Sequence, residues 1–378
     1  MDRKILSITE LHSLFETVID EFRLQGSINK IDCIGRGNIN DTYLVQTLVI
    51  TGEREYIFQR VNHFVFSEPQ RIAENVIKVT EHIENKLRAR GVNDVRRHVM
   101  HYYRKPDGSY FHITENGDYW RVLSCIYNAH SVDHADIAHL RSSGIAFGEF
   151  QNLLSDFPSE TLYTTIPDFH NTKKRYESLR VAAQKDVMGR LKNVRAEYEY
   201  LLSMEEYAVK LCEMQEKGIL KCRVVHNDTK CNNVMFDNAT GEHLAVIDLD
   251  TVMQGLVAND FGDAVRFAAN PGGEDNEDLS RVYLDLDYYT AFAEGFVPQI
   301  NGKVENAEIE TLPDGVLSIT LELAARFLTD YLNGDRYFKC KKINHNLFRT
   351  RAQIALAKDV FGKMPEMRAR LQTIVDSI

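Results

Sequence analysis

The chain contains no C-x-x-C pair, and its six cysteines, Cys33, Cys125, Cys212, Cys222, Cys231 and Cys340, are scattered without clustered histidines. That spacing argues against a zinc site and against a small disulfide scaffold, and it reads as reduced thiols. No run approaches the roughly 18 consecutive apolar residues that suggest a membrane span. The opening, MDRKILSITELHSLF, acquires charge before an apolar segment reaches signal-peptide length, so a cytoplasmic location is expected. An excess of basic residues is also missing. The chain has 45 Lys and Arg against 55 Asp and Glu, and the net charge of −10 repels a nucleic-acid backbone or an anionic membrane. The short basic stretches 86–98 and 339–342 are mixed with other residues and read as solvated faces. No nucleic-acid, membrane or obligate protein partner is expected, and the sequence has no internal repeat or low-complexity tract.

What is present is an ordinary globular composition, 44% hydrophobic and 26% charged over 378 residues, enough for about two to three folding units. Ser7 and Glu10 have the spacing of a capping box, and Leu11, Leu14, Phe15, Val18, Ile19 and Phe22 recur along one face of a helix. Residues 42–50 and 55–61 are rich in β-branched and aromatic side chains and predict an antiparallel hairpin turning at Thr51-Gly52-Glu53-Arg54. A helix over about 69–90 follows. The turn-formers Pro106-Asp107-Gly108 and Glu115-Asn116-Gly117-Asp118 separate three apolar-aromatic runs at 101–104, 110–114 and 119–126. From about Ala129 long helical patterns dominate, as in 145–154 and 190–217, with one apolar-turn-apolar passage between Val224 and Asp250. The expected class is α+β: a first lobe over 1–126, a small antiparallel sheet with a helix, and a mainly helical second lobe over 127–378.

The chemistry concentrates in VVHNDTKCNNVMF, residues 224–236. An apolar run ends at His226, a polar loop follows, and a second apolar run opens at Asn233, which puts Asp228 and Asn233 at the two ends of one loop. After a turn at Asn238-Ala239-Thr240-Gly241, the strand in HLAVIDLDT delivers Asp248 and Asp250 to the same end. Such a set suits phosphoryl transfer. Mg²⁺ prefers carboxylate, amide and phosphate oxygen, so Asn233 and Asp248 can be its ligands. Asp228 can accept the proton of an incoming hydroxyl, and Lys230 can neutralise charge on the phosphate in transit. His226 reads as a buried histidine tying its loop to neighbouring backbone. Asp228 and Asp248 could also be turn or capping residues, and Asp250 could share the metal, bind substrate or be an outward-facing structural carboxylate.

Upstream, IGRGNINDTYLV at 34–45 offers Gly35 and Gly37, which let a backbone approach phosphates closely, although alone it is also an ordinary β-turn. A third glycine is absent, so Asn38 to Asp41 must cover phosphates differently. Asp260-Phe261-Gly262 spells the metal-binding triplet of protein kinases, yet it lies well beyond the strand that should present the ligand. Asp260 and Asp263 are therefore expected to brace the catalytic loop.

These residues resemble the phosphotransferases that include aminoglycoside, choline and homoserine kinases, whose loop is H-x-D-x-x-x-x-N followed by I-D. HNDTKCNNVMFD, VIDLDTVMQG, DFGDAVRF, RFLTDYLNGDRYF, HNLFRTR, GRGNINDTYLV, YWRV and AFGEFQNLLS together resemble the N-acetylhexosamine 1-kinase group, in order and over nearly the whole chain. The resemblance implies a bilobal protein-kinase-like fold, ATP and Mg²⁺ in its cleft, and attack of the anomeric hydroxyl of N-acetylglucosamine or N-acetylgalactosamine on the γ-phosphate. It also implies Asp228 as base, Asn233 and Asp248 as Mg²⁺ ligands, and nucleotide contacts at Gly35, Gly37, Asn38 and Cys125. Substrate contacts would be Asp228, Asp250, Thr251, Arg326 and Tyr337. Read without the resemblance, Arg326 is a surface ion-pair residue and Tyr337 a core aromatic.

One departure stands out. Many relatives carry a lysine on the third strand, and this chain has Gln59 there, in Tyr56-Ile57-Phe58-Gln59-Arg60. A neutral amide does not replace that charge. Arg60 or a neighbour is left as the candidate, with any role of Glu74 or Glu81 open. The alternatives to a sugar kinase are a kinase of another small hydroxyl compound, such as an amino alcohol, homoserine or an aminoglycoside, and an inactive nucleotide-binding scaffold.

Overall fold

Ser7 starts the first helix, α1 (Ile8–Glu21). Its hydroxyl accepts from the Glu10 N–H at 3.3 Å, and the Glu10 carboxylate accepts from the Ser7 N–H at 2.8 Å. The reciprocal pair satisfies donors that a first helical turn leaves over. The structure is a computed structural model that describes residues 5–36, 40–133 and 135–378. The chain divides into two compact units, Met1–Ala129 and His130–Ile378.

In the first unit, α1 packs on a five-stranded antiparallel sheet of β1 (Ser27–Arg36), β2 (Asp41–Val49), β3 (Gly52–Val61), β4 (His112–Ile113) and β5 (Tyr119–Ser124), in the order β1-β2-β3-β5-β4. The predicted hairpin is present, but it turns earlier than expected: Val49 pairs with Gly52, and Gly52 takes φ 130°, a conformation side chains rarely allow. Alternate residues of the strands face α1. Tyr43, Val45, Tyr56, Phe58, Trp120 and Val122 are buried there, and the Phe15 ring lies 5.6, 4.7 and 5.2 Å from those of Tyr43, Phe58 and Trp120. Burying Phe15 contributes about 1.5–3 kcal/mol. The opposite face of the same strands carries Thr42, Gln59 and Arg121, which are paired across the sheet. The second helix, α2 (Pro69–Ala89), begins on its proline as the sequence predicts. Of the three apolar runs, 119–126 is strand as far as Ser124, 110–114 leaves the two-residue β4, and 101–104 makes an isolated bridge from Tyr102 to Leu123.

The second unit is built on the helix Leu312–Leu332, which packs against Val257–Ala268, His345–Asp376 and Thr172–Lys185. Its crossing with Val257–Ala268 is close because both helices present glycine. A Cβ on Gly315 would lie 1.9 Å from the Ala258 carbonyl oxygen, and one on Gly262 would lie 2.4 Å from Gly315 backbone. This crossing sets the position of Asp260 and Asp263. The pattern over 190–217 is interrupted rather than continuous. A 3-10 turn (Leu191–Asn193) precedes helices Arg195–Ser203 and Glu205–Glu216, because Arg190 is held out of the helix by the Tyr331 carbonyl at 2.7 Å and Asp335 at 2.6 Å. Among the described residues no helix is long and apolar enough to cross a membrane.

Candidate active site

The short strand Arg223–Val225 pairs antiparallel with Met253–Gly255 and ends at His226. His226 is fully buried, with its ring edge-on to Phe147 and Phe150. Its Nδ1 accepts from the Asp228 N–H at 3.2 Å and its Nε2 lies 2.9 Å from the Ile247 carbonyl. The proton therefore sits on Nε2, and both ring nitrogens tie the loop to its neighbours.

Asn227 has φ 65°, which turns two successive N–H groups toward one carboxylate. Asp260 accepts from His226 N at 2.8 Å and Asn227 N at 2.7 Å, and from the Gln151 amide at 3.0 Å; its carbonyl accepts the Thr229 hydroxyl at 2.5 Å. Burial pushes the Asp260 carboxyl up, opposed by His226 and these hydrogen bonds. On the other side, the Thr251 hydroxyl donates to the His226 carbonyl at 2.7 Å and the Asn227 amide donates to the Thr251 carbonyl at 2.9 Å.

The loop so held brings Asp228, Lys230 and Asn233 together. Lys230 Nζ is 2.7 Å from Asp228 Oδ1. Asn233 Nδ2 donates to the Asp228 carbonyl at 2.8 Å and to Oδ2 at 3.3 Å. Burial alone would lower the Lys230 pKa, but Asp228, Asp263 and Glu274 outweigh it and raise it, so the ammonium stays charged. Asp263 is in turn paired with Arg266 at 2.8 Å, and Arg266 with Glu274 at 3.0 Å.

Asp248 reaches the same place through the backbone. The strand His243–Val246 stops before it, Ile247 N donates to the Asn233 carbonyl at 2.9 Å, and Asp248 is left-handed at φ 60°. The sequence reading carried the strand through Asp250. Instead the positive φ ends it, and Leu249–Thr251 form a 3-10 turn. Asp250 is 2% exposed, which removes the outward-facing alternative.

The donor set fits Mg²⁺. Because the Asn233 nitrogen is engaged with Asp228, its amide oxygen is the atom it would offer a cation, and the exposed Asp248 follows Ile247, whose N–H donates to the Asn233 carbonyl. Two hard oxygen donors are what Mg²⁺ usually takes from protein when phosphates complete its shell. Among the described residues no group of three or more His, Cys, Asp or Glu side chains could hold a metal by itself.

The remaining predicted positions are more dispersed. Gly35 pairs with Thr42 at a bulge in β1, while Gly37 and Asn38 lie outside the described residues. Cys125 follows β5, where burial and Glu55 push its thiol up to about 12. Arg326 is an ion-pair residue, with Glu322 3.9 Å away, but not a surface one: its side chain is 14% exposed and its guanidinium lies 5.5 Å from both the Phe169 and Phe338 rings. Tyr337 is 68% exposed rather than core. Asp330 holds its loop by accepting the N–H groups of Arg336, Tyr337 and Phe338, each at 2.9 Å. Sequence reasoning missed Asp330, Gln151 and Glu322; buried carboxylates and amides far apart in the chain leave no local pattern. A cavity of about 360 Å³ lies behind the loop, lined by Phe169, His170, Asn227, Met253 and Asn259, and does not include Asp228 or Asp248.

A sheet-plus-helix unit and a helical unit carrying this loop define a protein-kinase-like phosphotransferase. The chain belongs to the APH phosphotransferase enzyme family, whose profile matches residues 31–294. Among solved structures it is similar to a microcompartment-associated aminopropanol kinase (15% identity, TM-score 0.61, 95% of this chain and 99% of that one). It is also similar to an ethanolamine kinase of Plasmodium vivax (12%, 0.56, 98% and 93%) and to a spectinomycin phosphotransferase solved with ADP and spectinomycin (11%, 0.56, 94% and 100%). At these identities the likeness is one of fold.

Proposed function

We propose that the protein transfers the γ-phosphoryl group of ATP to the anomeric hydroxyl of an N-acetylhexosamine, releasing the sugar 1-phosphate and ADP. The observation that carries the transfer chemistry is the Asp228 carboxylate held between Lys230 and Asn233 in one loop. Asp228 takes the hydroxyl proton as the sugar oxygen bonds to phosphorus and the bond to the ADP oxygen breaks. Lys230 offsets negative charge on the group in transit. Asn233 and Asp248 would hold Mg²⁺, which when bound neutralises charge on the phosphates.

The acceptor is supported by Arg326 and Tyr337. Arg326 lies between two aromatic rings, and the buried Glu322 carboxylate is engaged by Thr172 at 2.7 Å and His170 at 3.1 Å. A cationic acceptor would want unengaged carboxylates and aromatic faces without a guanidinium over them. A neutral, hydroxyl-rich acceptor suits this surface better. The second reading, an amino-alcohol acceptor, draws support from the fold likeness to aminopropanol and ethanolamine kinases.

Incubation with ATP, Mg²⁺ and a panel of N-acetylhexosamines, other sugars and amino alcohols, with detection of ADP and of the phosphorylated product, tests the proposal. A phosphorylated amino alcohol with no sugar 1-phosphate would replace it by the second reading. ATP binding with no product from any acceptor would favour an inactive scaffold. Asp228→Asn should lower kcat about 10²–10⁴-fold, the usual share of general base catalysis, with ATP binding retained. Undiminished turnover would remove Asp228 from the mechanism.

A further inference from the structure

A phosphotransferase needs fixed positive charge beside the nucleotide phosphates, and on the face of the third strand turned away from α1 the position expected to carry a lysine holds the amide of Gln59. The sheet shows another source. Thr42 on β2 pairs with Gln59 on β3, and Gln59 pairs with Arg121 on β5, so the three lie in one row on the face turned away from α1. Their side chains are linked. Gln59 Nε2 donates to the Thr42 hydroxyl at 3.0 Å, and Arg121 Nε and Nη2 donate to Gln59 Oε1 at 2.9 and 2.6 Å. The row ends on β1 at Gly35, opposite Thr42.

Arg121 is 1% exposed, and its Nη1 donates to the Tyr102 hydroxyl while the guanidinium lies 5.2 Å from the Tyr102 ring. Burying a guanidinium is costly unless its geometry is fixed and its donors are used. A planar, permanently charged fork is suited to phosphate oxygens. The neighbouring cation is placed differently. Arg60 points to the α1 face, 5.8 Å from the Trp120 ring, and its guanidinium is paired with Asp41 at 2.6 Å and Asp118 at 3.5 Å.

We propose that Arg121, oriented by Gln59, supplies the positive charge that binds the phosphates of a nucleoside triphosphate, so that this charge comes from β5 rather than from a third-strand lysine. The inference rests on the phosphotransferase reading above. Because Arg121 is buried, a phosphate oxygen reaches Nη1 by displacing Tyr102, whose hydroxyl accepts from it and whose ring lies 5.2 Å from the guanidinium, and exchanging a neutral acceptor for an anionic one strengthens the bond.

The test is calorimetric titration of the full chain with Mg²⁺-ATP and, separately, with adenosine. Arg121→Gln should weaken ATP binding about 10- to 100-fold, the loss of a charge-assisted hydrogen bond, while adenosine binding stays within about twofold. Adding Gln59→Lys to that variant should recover most of the ATP affinity, since the charge returns to the same row. Unchanged ATP affinity in a folded R121Q protein, equal weakening of ATP and adenosine, or no recovery in the double variant each overturns the proposal. Should R121Q not fold, R121K, which keeps the charge and loses the fork, is read by the same ATP-to-adenosine comparison. Failure of the unsubstituted protein to bind ATP would instead overturn the phosphotransferase reading, a separate outcome.

Discussion

Lys230 and Asp228 form an ion pair of 2.7 Å within one loop, so the proposed base and the proposed phosphate-stabilising cation begin the reaction bound to each other. The pair keeps Lys230 charged and holds one carboxylate oxygen in place. In the proposed mechanism, phosphate entering the site would compete for the ammonium and free Asp228 to accept a proton.

Replacing Lys230 with Met should therefore act on the chemical step. We expect kcat to fall by about 10²-fold, the usual effect of removing one transition-state donor, while the ATP dissociation constant moves far less. Steady-state kinetics alongside direct ATP titration separates the two, and a change confined to binding would assign Lys230 to the ground state only.

Asp248→Asn removes a charged oxygen donor while keeping its size. The Mg²⁺ concentration for half-maximal activity should rise by about tenfold or more, as expected when one of two hard ligands is weakened. A Mg²⁺ titration at saturating ATP checks this, and an unchanged midpoint would exclude Asp248 as a ligand.

Asp260 receives two consecutive backbone N–H groups, from His226 and Asn227. An asparagine there can present an oxygen to only one of them and turns an NH₂ toward the other. Asp260→Asn should cost about 1–3 kcal/mol in urea denaturation, the penalty for an unsatisfied buried donor, and lower kcat through a misplaced Asp228. Full activity in the folded variant would show that the loop does not depend on this brace.

Asp263 gives a pH-dependent signature. Burial by itself would raise its pKa, but Arg266 at 2.8 Å and Lys230 outweigh it and hold the carboxyl below its ordinary value of 3.8. A carboxyl depressed on folding contributes stability that is present above the unfolded value and is lost as pH falls through the folded one. Thermal unfolding should show the melting temperature dropping more steeply from pH 5 toward pH 3 in the unsubstituted protein than in Asp263→Asn. Parallel profiles would count against the pairing.

Gly315→Ala should destabilise by about 1–3 kcal/mol or more, because overpacking a tight crossing forces backbone to move, and here the added atom would meet the Ala258 carbonyl at 1.9 Å. Differential scanning calorimetry reads the loss. Gly362→Ala, inside the helix His345–Asp376 with nothing within 4 Å of its added carbon, is the control and should be neutral to stabilising by up to about 1 kcal/mol.

The elements legible in the sequence are those specified by neighbours a few positions apart. The capping box of α1, the proline that opens α2 and the hairpin of β2 and β3 each rest on local geometry; the first two are where they were expected, and the hairpin is present with its turn shifted toward Val49. β1 was not expected as a ten-residue strand, because bulges between Ile28 and Lys30 and between Cys33 and Gly35 break its period-two pattern. The break in 190–217 was hidden for a different reason. It depends on Arg190 bonding to Tyr331 and Asp335, about 140 residues away.

By itself, then, the chain determined its α+β class, a sheet-bearing first lobe before a helical second one, and the loop from His226 to Asn233 with Asp248 to follow, because local spacing and alternation specify them. Only the tertiary structure decided that Asp260 grips that loop, that Asp250 is buried, that Arg326 lies between Phe169 and Phe338, and that Arg121 stands beside Gln59. Arg326 and Phe169 are 157 positions apart, and Asp260 and Asn227 are 33 apart. 

 Gln59 and Arg121 are 62 positions apart and meet only because β3 and β5 pair in register. Contacts of this kind depend on how strands and helices pack, and burial in a shared core selects that packing, which no local run of residues encodes.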